Sequence, residues 1–543
     1  MRHSKKQLRC RATQFTNCHP TNVRFVQPGN IHNSPSKFSM PSPFPLIDLF
    51  AGPGGLGEGF SSVRDGMGAP VFKAGVSIEM DVPAHATLSM RALFRHLRHE
   101  RCLEPYFDFV RGDTAFQEFL ALPRVAQFLP AVAEEARCAE LGKDKPSKID
   151  KWIAGAIGQR TDAVLIGGPP CQAYSLAGRS RRTNDLKFEK DKKHFLYKEY
   201  LRILNEFEPA IFVMENVKGI LSSMHGGNPI FERILEDLSR PKRGLEYEIR
   251  SFVCDPNYSE HLPSDFVIRA EQFGVPQARH RVILLGVRSD YTNRSHTLLK
   301  KVNAPVTVGS MLGNLPKIRS RLSRQPDSFE TWYAAICQTP AVLHTWQGPK
   351  HEEIRAAIQE ALFTAKEFCN QSADTLYGAD FIGNGVPSNL AEWIRQDAPD
   401  AISLHQSRGH MRSDLQRYLF AAAFASVHGV APKLANFPTE LLPAHENATD
   451  NDAPFSDRFR VQLADRPSTT VVSHISKDGH YYIHPDASQC RSLSVREAAR
   501  LQTFPDNYHF MGNRTQQYGQ VGNAVPPYLA RQLGDVVAEI MDQ

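Results

Sequence analysis

Two side chains that could perform covalent chemistry each follow a short apolar run. Cys171 comes after residues 163–166 and the turn Gly-Gly-Pro-Pro, and Glu215 comes after residues 211–214. A thiolate is a nucleophile, and a carboxyl group can transfer a proton. A cysteine in a proline-rich turn is otherwise a buried structural thiol, and a glutamate after a strand is otherwise a surface residue or a helix cap. If both runs are strands of one parallel sheet, the two side chains share a pocket.

A glycine-rich turn predicts a nucleoside-containing ligand. Gly52, Gly54 and Gly57 spell G-x-G-x-x-G after the apolar run 46–50, and Glu79 stands at the end of the next run. Glycines let a backbone approach a ligand closely, and an acid at this spacing can hold ribose hydroxyls. A tight turn with a surface acid is the alternative interpretation. The pattern fits NAD and S-adenosylmethionine equally, but hydride transfer has no need of Cys171, which favours S-adenosylmethionine.

Three polar residues alternate at the start of a further apolar run. Gln277, Arg279 and Arg281 precede or open residues 281–287. Side chains two apart on a strand share a face, and two guanidinium groups there could bind phosphate or a base carbonyl. A polar edge strand would show the same spacing.

The elements around these residues predict an α/β fold with a doubly wound, mostly parallel sheet. The apolar runs 46–50, 75–79, 163–166, 211–214 and 281–287 are near-continuous, as in strands buried on both faces, and residues 197–207 are helical in pattern. Ligands then bind at the carboxyl ends of the strands. The strand–helix alternation stops between residues 289 and 488, where a helix near 351–368 is expected. Residues 494–502 and 527–541 again predict helices.

Six motifs in a fixed order make the chain resemble DNA (cytosine-5) methyltransferases, in particular the bacterial restriction-modification members. They are the Phe-Ala-Gly-Pro-Gly-Gly at 50–55, Pro-Pro-Cys-Gln at 169–172, Glu-Asn-Val at 215–217, Gln-x-Arg-x-Arg at 277–281, Arg-Glu-Ala-Ala-Arg-Leu-Gln at 496–502 with Phe-Pro-Asp at 504–506, and Gly-x-x-Gly-Asn-Ala-Val-Pro at 519–526. They cover residues 45–288 and 489–543. Between them the resemblance is one of position, where the family carries its variable target-recognition domain.

The resemblance implies a role for each matching residue. Cys171 is similar to the nucleophile that adds to carbon 6 of cytosine, Glu215 to the group that binds and protonates nitrogen 3, and Arg279 and Arg281 to supports of the base. The expected cofactor is S-adenosylmethionine, and no metal is implied. The expected cofactor contacts are Phe50, Ala51, Gly52, Gly54, Gly55, Glu79, Asp113, Pro169 and Asn523.

The predicted organisation has four parts. Residues 1–44 form a basic disordered tail, 45–288 the catalytic S-adenosylmethionine-binding domain, 289–488 the target-recognition domain, and 489–543 a segment that returns to the catalytic domain. Residues 1–39 hold seven basic residues and no acid, so the remaining chain is nearly neutral and a nucleic-acid surface must be a local patch. Met40 directly precedes the first strand, and we expect the ordered protein to begin there.

Two local patches are candidates for DNA contact. Residues 178–194 carry seven basic and three acidic residues, which predicts either a loop that closes on the DNA backbone or an ordinary solvated loop. A second polar group precedes an apolar helix and predicts either DNA contacts or an exposed helical face. Its members are His405, Arg408, His410, Arg412 and Arg417.

The expected partner is double-stranded DNA from which the target cytosine is flipped out. An RNA cytosine methyltransferase, a catalytically silent DNA-binding regulator and a NAD dehydrogenase are the alternatives; the long insertion disfavours the first, and the presence of both Cys171 and Glu215 disfavours the other two. No apolar run is long enough for a membrane span, and nine cysteines without a Cys-x-x-Cys pair argue against a disulfide framework and a thiol zinc site. We expect a cytosolic, nucleoid-associated monomer that pairs with a restriction endonuclease.

Overall fold

An eight-stranded sheet lies at the centre of the computed structural model. The model describes residues 42–169, 196–225, 228–255, 261–370, 377–378, 383, 385–444 and 457–543. Outside these residues lie Cys171, the loop 178–194 and residues 1–41, which include the expected start at Met40 and most of the predicted tail. The last residue of that predicted tail, Phe44, opens the first strand. The sheet strands are β1 (Phe44–Leu49), β2 (Phe72–Glu79), β3 (Ala136–Cys138), β4 (Val164–Gly167), β5 (Ile211–Val217), β6 (Tyr247–Arg250), β7 (Val267–Arg269) and β8 (His280–Arg288).

The strand order confirms a mostly parallel, doubly wound α/β sheet. The order is β3-β2-β1-β4-β5-β8-β6, and β7 also pairs with β8. The first five strands are parallel, whereas β8 runs antiparallel to β5, β6 and β7. The sequence predicted five of the eight strands, and it did not predict β3, β6 and β7 or the reversed direction of β8.

Helices cover both faces of the sheet, which explains why its strands are apolar on both sides. One face packs on α1 (Gly55–Ser61) and on the closing helix of the chain, and the other on α7 (Pro146–Ile157), α8 (Leu196–Phe207) and α9 (Ile230–Ser239). Beyond β2, the long α2 (Val82–His99) packs on four short helices around its own apolar core. These are α3 (Glu104–Arg111), α4 (Phe116–Ala121), α5 (Pro123–Ala126) and α6 (Leu129–Glu135).

The region after the sheet is mainly helical and has two apolar cores. Its helices are α10 (Val308–Leu312), α11 (Phe329–Ile336), α12 (Thr339–Val342), α13 (His351–Ala365), α14 (Ser388–Arg395) and α15 (Arg412–His428), followed by α16 (Val495–Leu501), α17 (Arg514–Asn523) and α18 (Pro527–Met541). The predicted helices at 494–502 and 527–541 are thus confirmed. No helix in the described ranges is both long and apolar enough to cross a membrane.

The C-terminal segment shares one of these cores with the region 289–488. That core combines side chains from 306–315, 390–402 and 471–482 with side chains from 493–528. Residues 43–543 form one compact unit. The domain boundaries predicted from the sequence stay a prediction.

Candidate active site

The strand register brings the predicted cofactor and catalytic motifs to one edge of the sheet. Gly167, at the end of β4, pairs with Leu49 of β1 on one side and with Met214 of β5 on the other. The residues that follow these positions are Phe50, Gly168 and Glu215. Because the three strands are parallel, all three residues lie at the carboxyl edge, where doubly wound sheets bind ligands.

Residues 50–55, called the glycine turn below, leave β1 in a strained conformation. Phe50 has φ of 54° and Gly52 of 56°, values that cost a non-glycine residue free energy. The turn is held by two backbone bonds: Ala51 N donates to Ile78 O at 3.1 Å, and Gly54 N donates to Ala51 O at 2.9 Å. The turn then passes directly into α1, so the amino end of that helix faces the same edge.

Glu79 is bonded to the glycine turn by its carboxylate. Its Oε2 accepts a hydrogen bond from Gly52 N at 2.8 Å, and its Oε1 accepts one from Asp81 N at 2.7 Å. Burial raises the pKa of Glu79, and these backbone donors partly offset that effect. The Glu79 carboxylate is therefore fixed beside the glycine turn.

The glycine turn faces open space that fits a cofactor. A Cβ atom on Gly52 would meet no heavy atom of the described chain within 4 Å, whereas one on Gly55 would lie 2.2 Å from Val525 O. The backbone of Val525, two residues after Asn523, therefore packs closely on the first turn of α1. Asn523 is exposed and ends α17. The residues present thus fit a nucleoside ligand with the glycine turn, Glu79 and Asn523 around it.

Asp113 does not follow a strand. It comes after α3, where its carboxylate accepts a bond from Arg111 Nε at 2.8 Å and its side chain is 62% exposed. The third strand ends at Cys138, so Ala139 and Glu140 occupy the carboxyl end of β3. The helices α4 to α6 separate the Gly-Asp-Thr sequence from that strand. The structure places Asp113 in a surface ion-pair group around Arg111.

Glu215 and Arg281 form an ion pair at the catalytic edge. Arg281 Nε lies 2.8 Å from Glu215 Oε1, and the two side chains are 14% and 13% exposed. Gly168 packs against this pair, since a Cβ atom there would lie 3.0 Å from Glu215 Oε2. Pro169 follows and is buried. Glu215 therefore lies beside the segment that leads to Cys171.

Gln277 and Arg279 point into the C-terminal segment instead of sharing the surroundings of Arg281. Gln277 Nε2 donates to Leu501 O at 3.1 Å, and its Oε1 accepts from Val471 N at 2.8 Å. Arg279 donates to Val471 O at 2.9 Å and to Gly522 O at 3.4 Å. Burial, reinforced by the charge of Arg281, holds the pKa of Arg279 well below its usual range. The two residues bond backbone segments that surround the site.

Sequence reasoning did not identify Asp48 as a site residue. Asp48 is 2% exposed in β1, two positions before Phe50. Within the described part of the chain, neither carboxyl oxygen accepts a hydrogen bond of normal geometry. Burial, and then the charge of Glu79, raises its pKa from 3.8 to about 8. An acid inside an apolar run was the available signal, because buried carboxyl groups are rare.

The interpretation of the second polar patch as DNA-contacting or as an exposed helical face is wrong for three of its members. His405, His410 and Arg417 are buried. His405 bonds Ser494 Oγ and Pro316 O, each at 2.9 Å, and Arg417 donates to Leu441 O at 2.6 Å. Their polar atoms satisfy backbone and side-chain groups inside the helical region, so they stabilise the fold.

Comparison with known proteins agrees with this geometry. A family model described as C-5 cytosine-specific DNA methylase matches residues 143–539. The chain is 32% identical over 516 residues to the type II methyltransferase M.Bpa9945I of Bacillus paralicheniformis, covering 92% of this chain and 99% of that protein. It is 26% identical to the DNA (cytosine-5-)-methyltransferase M.ApeKI of Aeropyrum pernix, covering 92% and 99%.

A solved structure supports the fold. The crystal structure of a protein described as a prophage-encoded DNA modification methyltransferase of E. coli superimposes with a TM-score of 0.51 at 18% identity, covering 92% of this chain and all of that chain. The sheet, the motif order and the family match lead to one assignment, with S-adenosylmethionine as methyl donor and DNA as substrate. The chain belongs to the C-5 cytosine-specific DNA methylases.

Proposed function

We propose that Cys171, Glu215 and Arg281 form the catalytic centre that methylates carbon 5 of a flipped-out cytosine. The supporting observation is the Glu215–Arg281 ion pair, which lies at the carboxyl edge of the sheet and against Gly168. Cys171 follows Gly168 by three residues in the sequence. A carboxyl group and a thiol are thereby assigned to the same base.

Each proposed step follows from the chemistry of cytosine. Carbon 5 is a poor nucleophile until the Cys171 thiolate adds to carbon 6 and nitrogen 3 gains a proton from Glu215. Arg281 orients Glu215 toward the base. When bound, S-adenosylmethionine supplies an electrophilic methyl group. Carbon 5 of the resulting enamine would take that methyl, and S-adenosylhomocysteine would be the leaving group. Nitrogen 3 would then return its proton to Glu215. A base would remove the carbon 5 proton, and the electron pair of that bond would form the carbon 5–carbon 6 double bond as the Cys171 thiolate leaves.

The cofactor would be held by the glycine turn and its surroundings. Gly52 offers open space for close approach, Glu79 offers a carboxylate for ribose hydroxyls, and Asn523 adjoins the turn through the Val525–Gly55 contact. We assign Arg279 a positioning role, because its two terminal nitrogens donate to backbone carbonyl groups. Asp113 has no supporting contact for a cofactor role.

We further propose that residues 289–488 contain the surface that selects the DNA sequence, and that the enzyme acts as a monomer beside a cognate endonuclease. Two relatives that match 92% and 90% of this chain are named type II methyltransferases. A methyltransferase of that kind protects its own site from cleavage.

Base-resolution methylation mapping of DNA from cells that express the protein tests this function. The expected result is 5-methylcytosine in one sequence context, absent when Cys171→Ala replaces the wild type. DNA methylated there should resist an endonuclease that cuts the mapped sequence. Methylcytosine in cellular RNA but not in DNA would overturn the proposal.

A further inference from the structure

We propose that Tyr508 is a positioning residue for the glycine turn and thereby sets the affinity for the cofactor. This inference rests on the proposed role of that turn. The Tyr508 hydroxyl donates a hydrogen bond to Pro53 O, the carbonyl at the middle of the turn, across 455 residues of sequence. Tyr508 lies two residues after the Phe-Pro-Asp motif and is not one of the residues expected to contact the cofactor.

The Tyr508 side chain is rigidly held. It is fully buried, and its ring packs on Phe504 and Phe510 at centroid distances of 4.7 and 5.2 Å. Burial raises the pKa of its hydroxyl well above the usual range, so the group remains a donor at any assay pH. Burial and ring packing thus hold the hydroxyl at Pro53 O.

Arg91 of α2 packs on the ring of Tyr508 and bonds its neighbour Asn507. The Arg91 guanidinium lies 4.4 Å from the centre of the Tyr508 ring and donates to Asn507 Oδ1 at 2.9 Å. The same guanidinium pairs with Glu58 of α1 at 2.5 Å. Arg91 therefore connects α1, which begins at Gly55, to Asn507 beside Tyr508.

The glycine turn is thus held from two sides. Glu79 accepts from Gly52 N, and Tyr508 donates to Pro53 O. Gly54, the next residue, has φ of 98°, and a Cβ atom there would lie 2.8 Å from Leu88 Cδ2 and 3.1 Å from the Tyr508 hydroxyl. A turn that is already ordered loses less conformational entropy when it binds a ligand.

A tyrosine in a similar bond, but away from the turn, supplies a matched control. Tyr518 is 1% exposed and its hydroxyl donates to Leu493 O at 2.6 Å. Tyr508→Phe and Tyr518→Phe each remove one buried hydroxyl that bonds a backbone carbonyl. Both variants should be folded and similarly destabilised, since one such bond contributes modestly to stability.

Isothermal titration with S-adenosylhomocysteine is the decisive measurement. Tyr508→Phe should weaken binding by about tenfold, the equivalent of one lost buried hydrogen bond, while Tyr518→Phe should bind like the wild type. Hydrogen exchange at the amides of Gly52 and of residues 54–58 should become faster only in Tyr508→Phe. In turnover, KM for S-adenosylmethionine should rise with kcat unchanged, because Tyr508 does not contact the reacting atoms.

The Glu79→Ala variant distinguishes failure of the positioning role of Tyr508 from failure of the proposed function. If Glu79→Ala abolishes binding but Tyr508→Phe binds and exchanges like Tyr518→Phe, the positioning role is refuted and the cofactor site stands. If Glu79→Ala binds like the wild type, the glycine turn is not the cofactor site and the proposed function fails with it. If Tyr508→Phe lowers kcat at saturating cofactor without changing KM, Tyr508 acts on the chemistry and the inference is again overturned.

Discussion

Replacing Asp48 by asparagine should change how the stability of the protein depends on pH. The Asp48 carboxyl is buried beneath α1 and near Glu79, which raises its pKa from 3.8 to about 8. The folded protein therefore keeps a proton on Asp48 that the unfolded chain releases above pH 4. Stability is lost as pH rises through this window, because the folded state binds more protons than the unfolded state. Asparagine carries no titratable proton and removes this loss.

The magnitude follows from one proton. Between pH 5 and pH 7, the free energy of unfolding of Asp48→Asn relative to the wild type should rise by about 1.4 kcal/mol per pH unit, or about 2.7 kcal/mol in all. The difference should level off above about pH 8. Urea denaturation of the cofactor-free protein at constant ionic strength measures it. Glu232→Gln removes an exposed carboxyl from α9 and controls for the loss of one charge.

If the unfolding free energies of Asp48→Asn and the wild type run parallel from pH 5 to pH 8, Asp48 is ionised in the folded protein and the reasoning fails. A difference that shrinks as pH rises would have the wrong sign and would also refute it.

Three further outcomes are expected. Glu215→Gln should fold normally but transfer methyl groups at least about 100-fold more slowly, because an amide cannot supply the proton; wild-type rates would remove Glu215 from the mechanism. Gly55→Ala should lower the free energy of unfolding by about 1–3 kcal/mol, since its Cβ would lie 2.2 Å from Val525 O. The control Gly66→Ala, whose Cβ meets no heavy atom of the described chain, should leave that free energy nearly unchanged. Equal losses in the two variants would contradict the close packing of Gly55. Exchange of residues 289–488 for those of a relative should change the methylated sequence while cytosine stays the target; an active chimera with the original site would argue against that division.

The sequence predicted the parts of the fold in which one physical signal dominates. Near-continuous apolar runs revealed β1, β4, β5 and β8, because strands buried on both faces exclude polar residues. Helix α16 was predictable as well: Ser494 Oγ accepts from Glu497 N at 3.1 Å and Glu497 Oε2 accepts from Ser494 N at 2.6 Å, which is a capping box. Period and local capping suffice for such elements.

The remainder depends on contacts between distant segments. The alternation of Gln277, Arg279 and Arg281 suggested one shared face, but only Arg281 pairs with Glu215, and the other two bond segments near residues 471, 501 and 522. Likewise, the motif at 496–502 contains Glu497 but gives no sign of its partner, and the structure shows a buried ion pair with Arg491 at 2.6 Å. The spacing of charged residues in the sequence does not show where their binding partners lie in the fold.

The bond between Tyr508 and Pro53 illustrates the same limit. Pro53 lies in the motif at 50–55 and Tyr508 lies two residues after the Phe-Pro-Asp motif, but their contact spans 455 residues. Local spacing carries no information about such a pair. Only the folded arrangement shows that the C-terminal segment supports the glycine turn.

Duplex DNA that carries 5-fluorocytosine at the target position tests the central claim most directly. Cys171 should add to carbon 6 and the methyl group should transfer, but fluorine cannot leave carbon 5 as a cation, so elimination stops. The expected product is a denaturant-resistant protein–DNA adduct that maps to Cys171, requires S-adenosylmethionine and the correct site, and is absent in Cys171→Ala. Wild-type enzyme that methylates ordinary DNA but forms no adduct with the fluorinated site would contradict the covalent mechanism.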